Sequence, residues 1–210
     1  MKKGLAILVL FIFSFFKAQN PIDFDDVKSK VQDSTGQYFY EKLVYKFGYL
    51  PTTLDSIESK YLYYGQSYKI KAKEKRIIPV GDFMEKKRRK QYKEAIEEGE
   101  KILKEDPVSL EIIGALIQLY EKSDKENPLF PLRINQFRVL VNAIIHNVEE
   151  KNDDKIYTVM SVVDEYIIGG VLDYNLYTMR RKSERTSNGI IDYWKSGKKR
   201  ISFLVHYPKE

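Results

Sequence analysis

Apolar positions recur at intervals of three and four through residues 19–150, and at intervals of two through residues 190–207. The first spacing is that of a helix buried along one face; the second is that of a strand. "NPIDFDDVKSKVQDSTG" carries Phe24, Val27 and Val31 on one helical stripe and ends in the turn Asp33-Ser34-Thr35-Gly36. "QYFYEKLVYKFGYLP" predicts a second helix, with Phe39, Tyr40, Leu43, Val44 and Phe47 inward and Gly48 and Pro51 as its stop. "TTLDSIESKYLYYG" predicts a third, opened by Thr52 and Asp55 and capped by Gly65. Its stripe is Leu54, Ile57, Tyr61 and Tyr64. At about 100° per residue, Tyr63 then falls on the opposite side, where it would meet a partner.

"SYKIKAKEKRIIPVG" breaks this period. Lys69, Lys71, Lys73 and Lys75 alternate with smaller or apolar residues, as in an extended segment with lysines on one side. "DFMEKKRRKQYKEAIEEGEKILKEDP" predicts one long helix from Asp82 to Pro107, with Phe83, Tyr92, Ile96, Ile102 and Leu103 on its apolar face. "VSLEIIGALIQLYEKSD" and "NPLFPLRINQFRVLVNAIIHNVEE" predict two more helices around a proline turn, the pattern of an antiparallel helical hairpin.

After "KNDDK" the texture changes. "IYTVMSVVDEYIIGGVL" is rich in β-branched residues and tyrosine and reads as extended. "GIIDYWKSGKKRISFLVHYP" predicts a β-hairpin turning at Ser196-Gly197-Lys198. The predicted architecture is α+β: a helical part over residues 19–150, closed by a small antiparallel sheet over residues 151–210 and packed with it as one globular unit.

Composition adds a compartment. "MKKGLAILVLFIFSFFKAQN" has two lysines, an apolar run from Gly4 to Phe16, and Ala18 before a polar start. This is the pattern of a secretory signal peptide over residues 1–18, and the run is too short for a comfortable bilayer span. Export to the periplasm or beyond is therefore expected. With no cysteine in the chain, lipoprotein anchoring, disulfides and thiolate chemistry are excluded. Removing the segment lowers the formal charge from +6 to +3. The remaining basicity is too slight to argue for a specific nucleic-acid partner.

Candidate chemistry is sparse. His146 and His206 show no metal-ligand spacing, so no metal site is expected. No serine elbow, phosphate loop or cofactor motif occurs. Asp164, Glu165 and Tyr166 bring two acids and a phenol together, and Glu165 with Tyr166 is the pair to consider for acid–base work. On a strand, however, adjacent side chains point to opposite faces. From Lys69 to Lys93, eleven Lys or Arg face three acids, a local balance of +8. Its centre is Lys86, Lys87, Arg88, Arg89 and Lys90. The run reads as a solvated helix face, or as a patch for an anionic surface polymer, a lipid headgroup or an acidic protein.

"TTLDSIESKYLYYG", "VMSVVDEY" and "KRISFLVHYP" together resemble the secreted bacterial domain-of-unknown-function family 4919, in which similar segments occur in that order. The resemblance implies a largely structural set of motifs and no assigned activity. Two segments depart from it: lysine-rich "KIKAKEK" after "LYYG", and "EEKNDDK" before "VMSVVDEY". A second, weaker similarity is to tetratricopeptide helices, through Ala95, Ile102, Pro107, Leu116 and Tyr120, over about one and a half repeats. The reading that follows is an exported, non-catalytic protein that holds a protein partner on a helical face, with Tyr63 and the Lys86–Lys90 cluster as contacts. A hydrolase-like enzyme built on Glu165 and Tyr166 is the alternative.

Overall fold

The computed structural model describes residues 22–68, 80–151 and 154–207. Residues 1–18, expected to be a signal peptide, and the alternating-lysine stretch 69–79 lie outside the described residues. The elements are α1 (Phe24–Gln32), α2 (Tyr40–Tyr49), α3 (Ser56–Gly65), α4 (Val80–Arg88), α5 (Tyr92–Glu105), α6 (Leu110–Ser123), α7 (Leu129–Ile145), β1 (Val148–Lys151), β2 (Asp154–Val159), α8 (Val162–Val171), β3 (Arg180–Thr186), β4 (Gly189–Ser196) and β5 (Lys199–His206). The fold is α+β, with helices first and a sheet at the C-terminal end.

Local chemistry explains most boundaries. Asp23 caps α1 by accepting from the backbone of Asp25 and Asp26. Asp55 opens α3 with a capping box: its carboxylate accepts from Ile57 N and Glu58 N, and Glu58 reaches back to Asp55 N. The long helix expected from Asp82 to Pro107 is two helices, α4 and α5. The break falls at Lys90, which sits in the left-handed region at φ 60°. There Lys90 N donates to Lys87 O and Gln91 N to Lys86 O, closing α4 before α5 begins.

The sheet order is β1-β2-β5-β4-β3. All pairs are antiparallel except β2 and β5, which run parallel from Ile156↔Ser202 to Val159↔Val205. The C-terminal sheet is therefore mixed. A parallel pair needs a crossover between its strands, and α8, β3 and β4 supply it. The expected hairpin is present as β4 and β5, paired from Gly189↔His206 to Ser196↔Lys199, with Gly197 at φ 58° in its turn.

The segment after Val159 departs from the extended reading. Ser161 caps a helix there by accepting from Asp164 N, and Asp164 and Glu165 lie in the first turn, where acids suit the helix dipole. This capping and the packing of Ile168 against the core override the β-preference of Val162, Val163, Ile167 and Ile168.

One core joins helices and sheet, running from Val27 and Leu43 through Tyr63, Tyr64, Leu116 and Ile144 to Phe203 and Val205. It includes Trp194 from β4 and Ile168 from α8. A small second cluster of Ile156, Ile191 and Leu204 covers the other sheet face.

The α3 stripe needs correction. Tyr61 and Tyr64 are buried as expected, but Ile57 is 48% exposed, and Leu62 and Tyr63 are fully buried. The last turn of α3 is enclosed on all sides, so periodicity alone misplaces its inward face. Gly65 is the last residue of α3 rather than a left-handed cap, and the chain continues as a 3₁₀ turn over Gln66–Tyr68.

Candidate functional site

The residues singled out in the sequence fall into three places. Glu165 and Tyr166 lie on the first turns of α8, beside Trp194 of β4. Glu165 is fully buried. Trp194 Nε1 donates to its Oε2 at 3.0 Å, and Asp192, two residues away on the same face of β4, lies beside it. Asp192 accepts from Ser183 Oγ and faces Arg181 Nη1 at 3.7 Å. The Arg181 guanidinium also lies 5.5 Å from the centre of the Trp194 ring. Register explains this grouping: Arg181 pairs with Trp194 and Ser183 with Asp192, so alternate residues of β3 and β4 share one face.

Burial, then the neighbouring Asp192 carboxylate, pushes the Glu165 carboxyl up to about 8. Glu165 Oε1 accepts no hydrogen bond from any described residue. The raised Glu165 carboxyl is the protonated partner that its hydrogen bond with Asp192 requires, so the two acids share a proton, with Arg181 facing Asp192 from β3. Such a pair is chemically able to move a proton. It is closed to solvent here, with Trp194 on one side and the edge of the Tyr166 ring packed at 5.5 Å on Trp194.

Asp164, the other acid of the trio, is also buried, and it belongs to a different cluster. Because α8 is a helix, Asp164 and Glu165 diverge by about 100° rather than lying across a strand. Asp164 Oδ2 accepts from Tyr63 Oη at 2.7 Å, and Tyr63 Oη accepts in turn from Met160 N at 3.1 Å. Burial pushes Asp164 up to about 6 even though the Tyr63 hydrogen bond works against it. Tyr63 is thus an interior strut with no exposed surface, and it presents nothing to a partner.

The basic run is largely paired within the chain. Glu85 accepts from both Arg88 and Arg89, and Lys86 Nζ lies 3.5 Å from Glu98 on α5. Lys87, half-buried near Lys122, has its ammonium pKa lowered by desolvation. Lys90 is exposed at the α4–α5 break. The cluster is a helix face stitched by acids, with less free charge than its sequence suggests.

A feature the periodicity did not flag lies on α2. Tyr45 and Tyr49 are 68% and 70% exposed, with ring centres 4.9 Å apart. Leu50 follows at 59% exposure, and exposed Ile57 opens α3. Lys46 on α2 bonds Glu58 on α3 at 2.6 Å, tying the two helices together next to these exposed positions. The sequence signal was available: Tyr45 and Tyr49 sit off the stripe that predicts the buried face.

The family model for the domain of unknown function DUF4919 matches residues 25–202. The chain belongs to this family. No curated protein and no solved structure matches it. The DUF4919 match spans the LYYG helix α3, the acidic α8 and the first half of β5, so Tyr61, Tyr63, Tyr64 and the Glu165–Asp192 pair all lie inside the family's extent.

Among the described residues, no group of three or more metal-ligating side chains occurs, and no helix is long and apolar enough to cross a membrane. His206 is buried, stacked on Phe24, with no hydrogen-bond partner at either nitrogen among the described residues. Desolvation pushes it down to about 4, so it stands as a neutral ring at neutral pH.

Proposed function

We propose that the protein is an exported, non-catalytic binding or structural protein of the periplasm or cell surface, and that the outer side of α2 with the start of α3 holds a protein partner. The observation that carries this reading is the exposed, ring-packed pair Tyr45 and Tyr49, followed on the surface by Leu50, with Ile57 exposed at the start of α3. Single exposed apolar residues are ordinary, but a cluster of aromatic and aliphatic groups with a polar rim has the composition of an interface centre. Lys46 and Glu58, which flank it on α2 and α3, neutralise each other. The patch therefore suits a partner with an apolar face rather than an anionic polymer or lipid surface. At Lys86–Lys90, Glu85 and Glu98 already engage much of the charge, which weakens the alternative of an anionic ligand there. The hydrolase-like alternative has less support, because the complete burial of Glu165 leaves it no access to an external substrate.

Capture from a native envelope extract tests the reading. Wild-type bait, a Tyr45→Asp/Tyr49→Asp variant and a Lys86→Ala/Arg88→Ala variant are compared. Both tyrosines are exposed, so the substitutions leave the core intact. The expected result is a partner retained by wild type and by the Lys86/Arg88 variant and lost by the tyrosine variant. Retention by the tyrosine variant, or capture of nothing by any bait, overturns the reading. A wild-type dimer that the tyrosine variant converts to monomer assigns the patch to a second copy of the chain instead.

A further inference from the structure

On the far side of Tyr166 from Glu165, α8 ends in a loop that closes over the β4–β5 turn. Asp173 takes the left-handed conformation there at φ 63°. Tyr174 N bonds Gly169 O at 2.8 Å, and the loop continues into a 3₁₀ turn over Leu176–Thr178. The loop bounds an open hollow of about 460 Å³ lined by Tyr166, Tyr174, Tyr177, Asn175, Thr178 and Lys199, among others. That size lies within the usual range for small-molecule sites, roughly 300–1,000 Å³.

The lining has a distinct chemistry. Tyr166 is held in place from behind by Trp194 at 5.5 Å and packs on Tyr177 at 4.9 Å, with their planes 39° apart. Tyr177 is 85% exposed, a large phenol ring kept at the surface beside a backed one. Asn175 is exposed and presents an amide able both to donate and to accept. Lys199 Nζ lies 3.9 Å from Asp173 Oδ2 and 5.9 Å from the centre of the Tyr174 ring. The rim is therefore electrically balanced, with a cation already over one ring.

This combination narrows the occupant. A hydrocarbon would leave the amide and the hydroxyls unmatched. An organic cation would compete with Lys199 for the Tyr174 face and be repelled by it, and an anion would meet Asp173. A neutral ring with C–H groups on its faces and hydroxyls around its edge matches both halves of the lining. Its C–H faces meet the electron-rich faces of the tyrosines, and its hydroxyls meet Asn175, Thr178 and Lys199. We infer that the hollow beside α8 is a saccharide-binding site that takes a pyranose unit of a glycan, with Tyr177 as its exposed stacking platform. It lies on α8 and the β4–β5 turn, apart from the α2 patch, and does not depend on it.

Saturation-transfer NMR on the full chain tests the inference. The probes are cellohexaose, maltohexaose and the hexamer of N-acetylglucosamine, with adenosine as a planar control. Variants are Tyr177→Ala, Asn175→Ala and, as a distant control, Tyr45→Ala. Tyr177 and Asn175 are exposed, so neither change opens the core. The expected result is transfer to at least one hexasaccharide, weakened by up to about tenfold in Tyr177→Ala, as the loss of one ring contact implies, reduced in Asn175→Ala, and unchanged in Tyr45→Ala. Transfer to none of the sugars, transfer undiminished in Tyr177→Ala, or binding of adenosine in preference to every sugar overturns it.

Discussion

Tyr61, Tyr63 and Tyr64 lie within four positions of one helix and send their hydroxyls to three different elements. Tyr61 donates to Asp26 on α1 at 2.6 Å, Tyr63 to Asp164 on α8 at 2.7 Å, and Tyr64 to the Thr158 carbonyl of β2 at 3.2 Å. Each ring fills core and each hydroxyl satisfies a polar group at its edge, the usual way a buried tyrosine is accommodated. Tyr63→Ala is therefore expected to destabilise as much as Tyr64→Ala, by about 3–5 kcal/mol. Tyr63→Phe keeps the ring and leaves Asp164 short of a donor, and is expected to destabilise by about 1–3 kcal/mol. Urea denaturation of the three variants checks both figures, and a near-wild-type midpoint for Tyr63→Ala contradicts the buried strut. Next to them, a Cβ on Gly65 would lie 2.7 Å from Val31 Cγ1 and 3.3 Å from the Tyr40 ring. Gly65→Ala is expected to lose about 1–3 kcal/mol through overpacking, read as a lower urea midpoint at unchanged slope. The cause is close packing and not a left-handed backbone, which separates this glycine from Gly189. Gly189 holds φ 147°, where a Cβ would meet Val205 O at 2.0 Å.

Elements were legible wherever one face was buried and the period was clean. α1, α2, α6 and α7 follow their apolar stripes, and the β4–β5 hairpin follows its alternation and its glycine turn. β3 left no such trace: "RRKSERT" is exposed at all seven positions and contains no apolar residue. It forms because β4 offers a free edge, and its charges suit an edge strand that must resist further pairing. The α4–α5 break was equally hidden, since Lys90 is a good helix former placed in a left-handed position. Lys90→Gly is accordingly expected to raise stability by up to about 1 kcal/mol, measured by thermal melting, because glycine takes that conformation without steric penalty. A lowered melting temperature contradicts the broken-helix description. The acidic site was half legible. The trio Asp164, Glu165 and Tyr166 stood out, but the groups that define it, Asp192, Ser183, Arg181 and Trp194, come from two later strands and meet only through register.

At the scale of the whole molecule, buried titrating groups set the pH response. Glu165 has its folded pKa raised to about 8 from an ordinary 4.5, so the folded chain keeps a proton that the unfolded chain releases. Its contribution to stability is complete below about 4.5 and is lost as pH rises toward 8. Asp164 acts with the same sign between 3.8 and about 6. His206, lowered to about 4 from 6.5, acts oppositely: the unfolded chain takes up a proton first, so stability falls as pH drops below 6.5. Glu165→Gln removes the alkaline arm and keeps a donor toward Asp192. Its melting temperature is expected to stay flat from pH 6.5 to 8, the window set by those values, while that of the wild type declines. A parallel decline in both proteins contradicts the shared proton. These buried groups serve the shared core of helices and sheet, whereas the proposed partner surface on α2 carries none of them. Hydrogen exchange on the partner-bound chain, isolated by native capture, tests that division most directly. The account predicts slowed exchange in α2 and the first turn of α3, around Tyr45, Tyr49, Leu50 and Ile57, with α4 and β3 unchanged. Slowed exchange confined to α4, β3 or α8, with α2 exchanging as in the free chain, would contradict it.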